Sequence, residues 1–468
     1  MTPDDFRTHG YALIDWIAEY MEGVERYPVA GQVQPGDIRA ALPEHPPTDE
    51  EAFAEVLADL DRVVMPGITH WQHPSFFAYF PGNSSYPAIL GELAAAGLGV
   101  QGMSWVTSPA CTEVETLMMD WMQELLGLPE AFRSTSATGG GVIHGSASEA
   151  TLASVLAARW RATGGAINAI GDTRHLVAYA TSQAHSSIEK GLRIAGIGTS
   201  QIRTVPHDSS FSMRPDEFER MVADDRAAGR TPFWVCCTRG TTSSMAFDPT
   251  AEVGVIARRE KVWVHVDAAM SGIAALAPEH RWVNDGMEVA DSYCTNPHKW
   301  MGVNFDCDLF YTTDRAALLG ALSILPEYLR SAAAESGAVI DYRDWQIPLG
   351  RRFRALKLWF TIRAGGAADA IAMIRRHVDA TQQLAELVAA DTRFEIVAPH
   401  PLNLLCLRLK AGNDATDALI SAANDTGRAL FTRTVLDGAV ACRVSIGARS
   451  TEARHVRAGW ELLQQLAG

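Results

Sequence analysis

Lysine is scarce in this chain. Five of its 40 basic residues are lysines, at positions 190, 261, 299, 357 and 410, so chemistry that needs a primary amine has few candidates. Bases are themselves outnumbered, 55 acids to 40 bases, which leaves a net charge of −15 at pH 7. With no basic cluster to offset that field, nucleic acid is excluded as a partner. Cysteines are few and odd in number, seven, and none shows the paired spacing of a zinc ribbon, a redox motif or a disulfide frame. A reducing, cytoplasmic setting is expected. No apolar run approaches the roughly 20 residues that cross a bilayer, and the start, Met1-Thr2-Pro3-Asp4-Asp5, is acidic where a secretory signal is basic; no membrane association is expected. Metal and nucleotide signatures are missing too. His70-Trp71-Gln72-His73 lacks the His-Glu-x-x-His spacing, so no metal is expected, and there is no Gly-x-Ser-x-Gly nucleophile elbow.

What is there is ordinary globular composition, 47% hydrophobic and 20% charged over 468 residues, enough for two or three domains. Helical periodicity over residues 6–26 and 52–64, joined by a Pro-rich stretch over 35–47, predicts two helices and an extended strap with little core of its own. Such a segment needs a surface to pack on, and a second subunit would supply it. From about 85 to 380, short β-branched or aromatic runs alternate with helical stretches, the pattern of a mainly parallel, helix-covered sheet. Candidate strands are 176–180, 202–205, 233–237, 262–266 and 292–295. A smaller α+β domain follows, giving expected boundaries of 1–84, 85–380 and 381–468.

Four of the five strands open into polar segments, and ligands of open parallel sheets bind beyond the carboxyl ends of the strands. The run Val262-Trp263-Val264-His265-Val266 ends on Asp267, a carboxylate in apolar surroundings that needs a partner. A protonated pyridine nitrogen would serve, as the electron sink of pyridoxal phosphate (PLP) chemistry requires; a helix-capping Asp is the plainer alternative. Farther on stands Asn296-Pro297-His298-Lys299-Trp300, a lysine between an imidazole and an indole. Desolvation and neighbouring cations raise the free-base fraction of an amine, which favours Schiff-base formation with an aldehyde. Gly139-Gly140-Gly141-Val142-Ile143-His144-Gly145-Ser146-Ala147-Ser148 offers glycines, hydroxyls and a helix start from about 149, a cradle suited to phosphate or simply a capped linker. His185 follows the first candidate strand as a flat ring that could stack on a cofactor, and Thr241-Thr242 could hydrogen-bond one. Five aromatics crowd residues 71–80 (Trp71, Phe76, Phe77, Tyr79, Phe80) in an irregular loop interrupted by Pro74, where they would line a pocket or an interface.

Together the Asn296–Trp300 string, the Asp267 strand, Gly145-Ser146-Ala147-Ser148-Glu149-Ala150-Thr151 and His73-Pro74-Ser75-Phe76-Phe77-Ala78-Tyr79-Phe80-Pro81 resemble group II PLP-dependent decarboxylases, most nearly the aromatic-L-amino-acid decarboxylase branch. The resemblance covers nearly the whole chain. It implies a PLP-dependent transferase of fold type I, an α/β architecture with a mainly parallel sheet, an N-terminal helical segment swapped across a homodimer and a small C-terminal α+β domain. It implies PLP bound covalently at Lys299, Asp267 on the pyridine nitrogen, His185 over the ring, and Ser146, Ala147, Ser148, Thr242, Asn296 and His298 around the cofactor. Tyr328 matches the family's catalytic loop tyrosine, followed over 331–337 by small residues suited to a closing loop. Relatives that make aldehydes lose that tyrosine or the stacking histidine, so their joint presence implies decarboxylation to an amine, with an aldehyde synthase or a non-catalytic scaffold as alternatives. Substrate would meet Trp71, Tyr79, Phe80, Pro81, Gly82, Gln101, Met103, His185 and Gly350. Gly82 replaces the hydroxyl residue of animal relatives, which argues against a dopa-specific pocket. Gly350 matches plant relatives acting on indoles and points to tryptophan, with phenylalanine, tyrosine and dopa as the other candidates.

Overall fold

A computed structural model describes residues 1–324 and 339–468. The chain divides into two compact units, one of Met1–Pro81, Gln382–Val397 and Leu407–Gly468, the other of Gly82–Thr381 and Ala398–Cys406. No helix among the described residues is long and apolar enough to cross a membrane.

The second unit is built on a seven-stranded sheet. Its strands are β1 (Gly140–His144), β2 (Leu176–Thr181), β3 (Ile202–Val205), β4 (Thr231–Thr238), β5 (Trp263–Asp267), β6 (Ser292–Thr295) and β7 (Asp308–Thr312), in the order β1-β7-β6-β5-β4-β2-β3. The five strands expected from sequence are all present and pair in parallel. Helices such as Ala147–Ala162 pack against the sheet, so β2 and β5 are buried along their whole length and read as continuous apolar runs. Buried indoles satisfy their N–H groups locally: Trp234 donates to Ser154 Oγ at 3.2 Å and Trp263 to Ser292 Oγ at 2.8 Å.

Two strands are new to the sequence reading, and both matter to the site. β7 runs antiparallel to β6 and to β1, so its first residue, Asp308, arrives at the edge where the parallel strands end. β1 occupies the residues read as a Gly-rich loop. There Gly141 is required by close approach, since a Cβ would lie 2.5 Å from Met119 Cε and 2.7 Å from the Tyr311 ring. The loop proper begins only at Gly145.

In the first unit, the helix Pro3–Gly23 starts with a reciprocal cap between Thr2 and Asp5. The Pro-rich stretch holds one short helix, Asp37–Ala41, and the predicted second helix forms over Phe53–Asp59 before a wider turn at Leu60–Val64. β8 (Phe394–Ile396), β9 (Leu404–Leu409), β10 (Thr432–Leu436) and β11 (Ala439–Ser445) form a second sheet in the order β10-β11-β9-β8, and the helix Ala453–Leu466 closes the chain. Of these strands, β9 and β11 follow strand-like runs over 403–409 and 443–445, whereas β8 and β10 escape a sequence reading: β8 has three residues, and β10 carries Thr432, Arg433 and Thr434 rather than an apolar run. The aromatic loop divides. Phe76 and Phe77 belong to the core, whereas Trp71 and Tyr79 are 40% and 56% exposed and stack on each other at 5.6 Å.

Candidate active site

Parallel register aligns the ends of three strands, with Thr238 opposite Asp267 and Asp267 opposite Cys294. The carboxyl of Asp267 is therefore carried to the sheet edge while its backbone remains in the ladder. It is buried, and Oδ1 accepts from the Ala269 N–H at 3.0 Å and from Cys294 Sγ at 3.9 Å. Oδ2 has no protein donor among the described residues. A buried carboxylate with one unclaimed oxygen suits a cationic ring nitrogen. Cys294 cannot supply a competing thiolate, because burial and then Asp267 and Asp308 hold its thiol well above the ordinary range.

After β6, Asn296 leads into the single turn Pro297–Trp300. Asn296 N–H donates to Ala269 O at 2.9 Å and Lys299 N–H to Asn296 O at 3.0 Å, while Asn83 holds the far side, its Nδ2 donating to Lys299 O at 2.8 Å and its N–H to His298 O at 3.1 Å. Lys299 is thus fixed by backbone on both sides and its side chain is half-buried. The flanking rings do not clasp it. Trp300 turns into the core to donate to His377 Nδ1 at 2.9 Å, and His298 Nδ1 accepts the Cys307 N–H at 2.9 Å. Burial, then Lys299 and Lys357, push the His298 imidazole down to about 3, so it is neutral.

His185 caps the helix Ser186–Ile194. Its Nδ1 accepts the Ser187 N–H at 3.2 Å and meets Ser187 Oγ at 2.8 Å. An acceptor Nδ1 puts the remaining proton on Nε2. Burial and then Lys299 lower the imidazole's proton affinity, with Asp267 opposing; these three side chains share one electrostatic neighbourhood. At the loop after β4, Arg239 N–H donates to Asp267 O at 2.8 Å. Gly240 follows at φ +80°, where a Cβ would strike Ser271 Cβ at 2.7 Å. Thr241 is buried and spent on its own turn, accepting the Ala246 N–H at 2.9 Å, and Thr242 beside it is half-buried.

The cradle lies at the start of the 16-residue helix Ala147–Ala162. Ser146 caps it, accepting the Glu149 N–H at 3.4 Å, and Glu149 Oε2 accepts the Gly145 N–H at 2.9 Å. The N–H groups of Ala147 and Ser148 have no protein acceptor among the described residues. Unclaimed first-turn amides fit an anion such as a phosphate ester. The donor set, an acceptor for a ring nitrogen, a half-buried primary amine, a neutral imidazole and an amide cradle, fits PLP, and no group of three or more His, Cys, Asp or Glu among the described residues could hold a metal.

The residues expected to meet substrate are divided between the two units. Gln101 Oε1 accepts the Arg351 N–H at 3.2 Å, Gly102 N–H donates to Arg351 O at 3.0 Å, and Arg343 N–H donates to Met103 O at 2.9 Å. A Cβ at Gly350 would stand 3.5 Å from Gln101 Oε1. Beneath this stitching lies a fully buried ion pair, Arg351 with Glu115 at 2.6 Å, whose carboxylate also takes the Ile143 N–H at 2.8 Å. Gly82 opens the second unit, whereas Trp71, Tyr79, Phe80 and Pro81 belong to the first, where Arg443 lies 4.5 Å from the Phe80 ring. Tyr328 lies outside the described residues, as does the small-residue run after it.

Two residues at the site were missed from sequence. Asn83 gave no signal. Asp308 gave one, an acid opening the apolar run Leu309-Phe310-Tyr311 as Asp267 closes another.

Comparison with known proteins identifies the family. Residues 35–410 match the pyridoxal-dependent decarboxylase conserved domain. The chain is 44% identical to an aromatic-L-amino-acid decarboxylase of Bos taurus and 43% identical to a phenylacetaldehyde synthase of Arabidopsis thaliana, over its whole length and 97% and 96% of theirs. The crystal structure of Oryza sativa TDC with PLP and tryptamine superposes with a TM-score of 0.96 at 38% identity, covering 100% of this chain and 98% of that one. Built on the same fold and matched over most of its length, the chain belongs to the pyridoxal-dependent decarboxylases, carboxy-lyases whose cofactor is PLP.

Proposed function

We propose that the protein decarboxylates an aromatic L-amino acid to the corresponding arylalkylamine and carbon dioxide, with tryptophan the favoured substrate and phenylalanine, tyrosine and dopa its competitors. The observation that carries this reading is that the Asp267 carboxyl, which accepts the Ala269 N–H, and the Lys299 main chain, held by Asn83 and Asn296, are fixed at one sheet edge. When bound, PLP supplies an electron sink for the pair of electrons that carbon dioxide leaves behind. Asp267 keeps a proton on the ring nitrogen, which is what makes the sink effective. Lys299 provides the amine that holds the cofactor and is exchanged for the substrate's amine. The N–H groups of Ala147 and Ser148, with the hydroxyls of Ser146, Ser148 and Thr242, anchor the phosphate. His185 offers a flat, neutral face for the ring, its orientation set by the Ser187 N–H.

Two features favour an indole. Gly350 places no side chain beside Gln101, and the aromatic-branch relatives include the rice protein crystallised with tryptamine. One pocket contact is commonly worth about 1 to 3 kcal/mol, so neighbouring aromatic amino acids would be turned over more slowly rather than rejected. The reading extends to a homodimer, supported by the exposed Phe6, Tyr11 and Ile14 on the first helix and by exposed Trp71 and Tyr79.

Borohydride reduction of the PLP-loaded protein followed by peptide mapping is expected to label Lys299; a label elsewhere overturns the reading. Carbon dioxide release from a panel of L-amino acids ranks the substrates. An aldehyde synthase is the second reading, favoured by the similarity to the Arabidopsis phenylacetaldehyde synthase. Tyr328 and His185 stand against it, since a proton donor that quenches the decarboxylated carbon yields amine. Tyr328→Phe is expected to turn a product stream of amine into one containing aldehyde, hydrogen peroxide and ammonia. Stoichiometric peroxide from the unaltered protein would establish the synthase instead.

A further inference from the structure

Asp308 is fully buried and has no assigned task. It stands at the start of β7, one register step beyond the Thr295–Leu309 pair and therefore opposite Asn296, and its other neighbour in the sheet is His144 on β1. The carboxamide of Asn296, itself buried, bridges two groups: one end meets Asp308 Oδ1 and the other meets Lys299 Nζ at 3.3 Å. Asp308 Oδ2 has no partner among the described residues. Such an acid costs free energy in its charged form unless a cation compensates it.

A carboxamide has one donor end and one acceptor end, so it can serve this pair in two ways. If Asp308 is ionised, the Asn296 NH2 donates to it and the carbonyl oxygen accepts from a Lys299 ammonium. If Asp308 carries the proton, its O–H donates to the Asn296 oxygen and the NH2 donates to the lone pair of a neutral Lys299. Passing from the first arrangement to the second breaks one N–H bond at Nζ, forms one O–H bond at Asp308 and turns the carboxamide over. No electrons change hands and the charge of the pair is constant. We propose that Asp308 and Lys299 share one proton through the carboxamide of Asn296, so that Asp308 is a positioning residue deciding whether Lys299 presents a lone pair or an ammonium.

The surroundings favour the neutral arrangement. Asp267 on β5 and Glu149 on the Ala147–Ala162 helix face Asp308 as like charges, Lys299 faces it as the opposing cation, and the thiols of Cys294 on β6 and Cys307 beside it stay protonated. Burial and then Asp267 hold the Asp308 carboxyl well above its ordinary range. The value to the enzyme is direct, because only a lysine lone pair attacks an aldehyde carbon.

This inference rests on Lys299 being the cofactor lysine, and its test separates the two. The full-length chain, before PLP is added, is reductively methylated with formaldehyde and cyanoborohydride across a pH series, and modification at each of the five lysines is read by peptide mass. A shared proton spreads the Lys299 curve into two steps. In Asp308→Asn the curve should narrow to one step, because the second group that could hold the shared proton is gone. The other four lysines should be unmoved. If Asp308→Asn does not fold, Asn296→Ala cuts the bridge and should likewise leave a single step. Borohydride labelling of Lys299 together with an unchanged curve in the variant would overturn the shared proton and leave the function intact; labelling of another lysine would overturn both.

Discussion

Two lysines of the second unit are withdrawn from water, and they differ in what meets the amine. Lys357 is 0% exposed, more deeply buried than Lys299, and its Nζ lies 2.7 Å from Glu92 Oε2. Lys299 is half-buried and meets the carboxamide of Asn296. A carboxylate partner holds an ammonium and makes it structural. A carboxamide accepts either protonation state of an amine. Burial alone does not separate the two; in the proposed reading the partner's chemistry distinguishes a salt bridge from the cofactor amine.

The sharpest way to break that comparison is to remove each amine in turn. Lys299→Ala should lower carbon dioxide release from L-tryptophan by more than about 1,000-fold, whereas Lys357→Met should retain turnover. If the two variants lost activity equally, the distinction would fall. Next in size, Asp267→Asn should reduce kcat by about 100-fold or more, because a neutral side chain no longer keeps the ring nitrogen protonated. Rapid-quench measurement of carbon dioxide reads it. Smaller again, Lys357→Met should cost about 1 to 3 kcal/mol in urea unfolding, the penalty of stripping a charged hydrogen-bond partner from Glu92.

The smallest effect is one of pH. Burial, then Lys299 and Lys357, push the His298 imidazole, beside Lys299, from its ordinary 6.5 down to about 3 in the folded protein. Between those values the unfolded chain binds the proton and the native chain does not, so His298 costs stability as pH falls from 6.5 towards 3. His298→Gln removes that cost. The variant should be less stable than the parent at pH 7, having altered the acceptor of the Cys307 N–H, and the gap in urea midpoint should close on acidification. A gap that widened would mean the imidazole is charged in the folded protein. Asp248 works in the opposite sense in both proteins and cancels in the difference: burial raises it to about 6, so it adds stability as pH falls through that value.

Much of the architecture was legible beforehand because buried parallel strands leave continuous apolar runs between polar turns, and all five such runs proved to be strands. β1 was not, since Gly140-Gly141-Val142 reads as a loop until the rings of Tyr311 and the Met119 side chain explain why a strand there tolerates nothing larger than glycine. Asp267 and Lys299 announced themselves by acid or amine in apolar company. Asn83 did not, as an asparagine in a loop 216 residues from the lysine it holds has no local mark.

Taken alone, the order of residues determined the five parallel strands and the chemical types that chemistry at this edge requires, because these depend on neighbours a few positions away. Tertiary structure decided which amine is paired with a carboxylate, which ring faces the core and that a reversed strand delivers Asp308 to Asn296. Those outcomes depend on strand order and register, which bring residues 267, 296, 299 and 308 into one low-dielectric space where each sets the charge of the next.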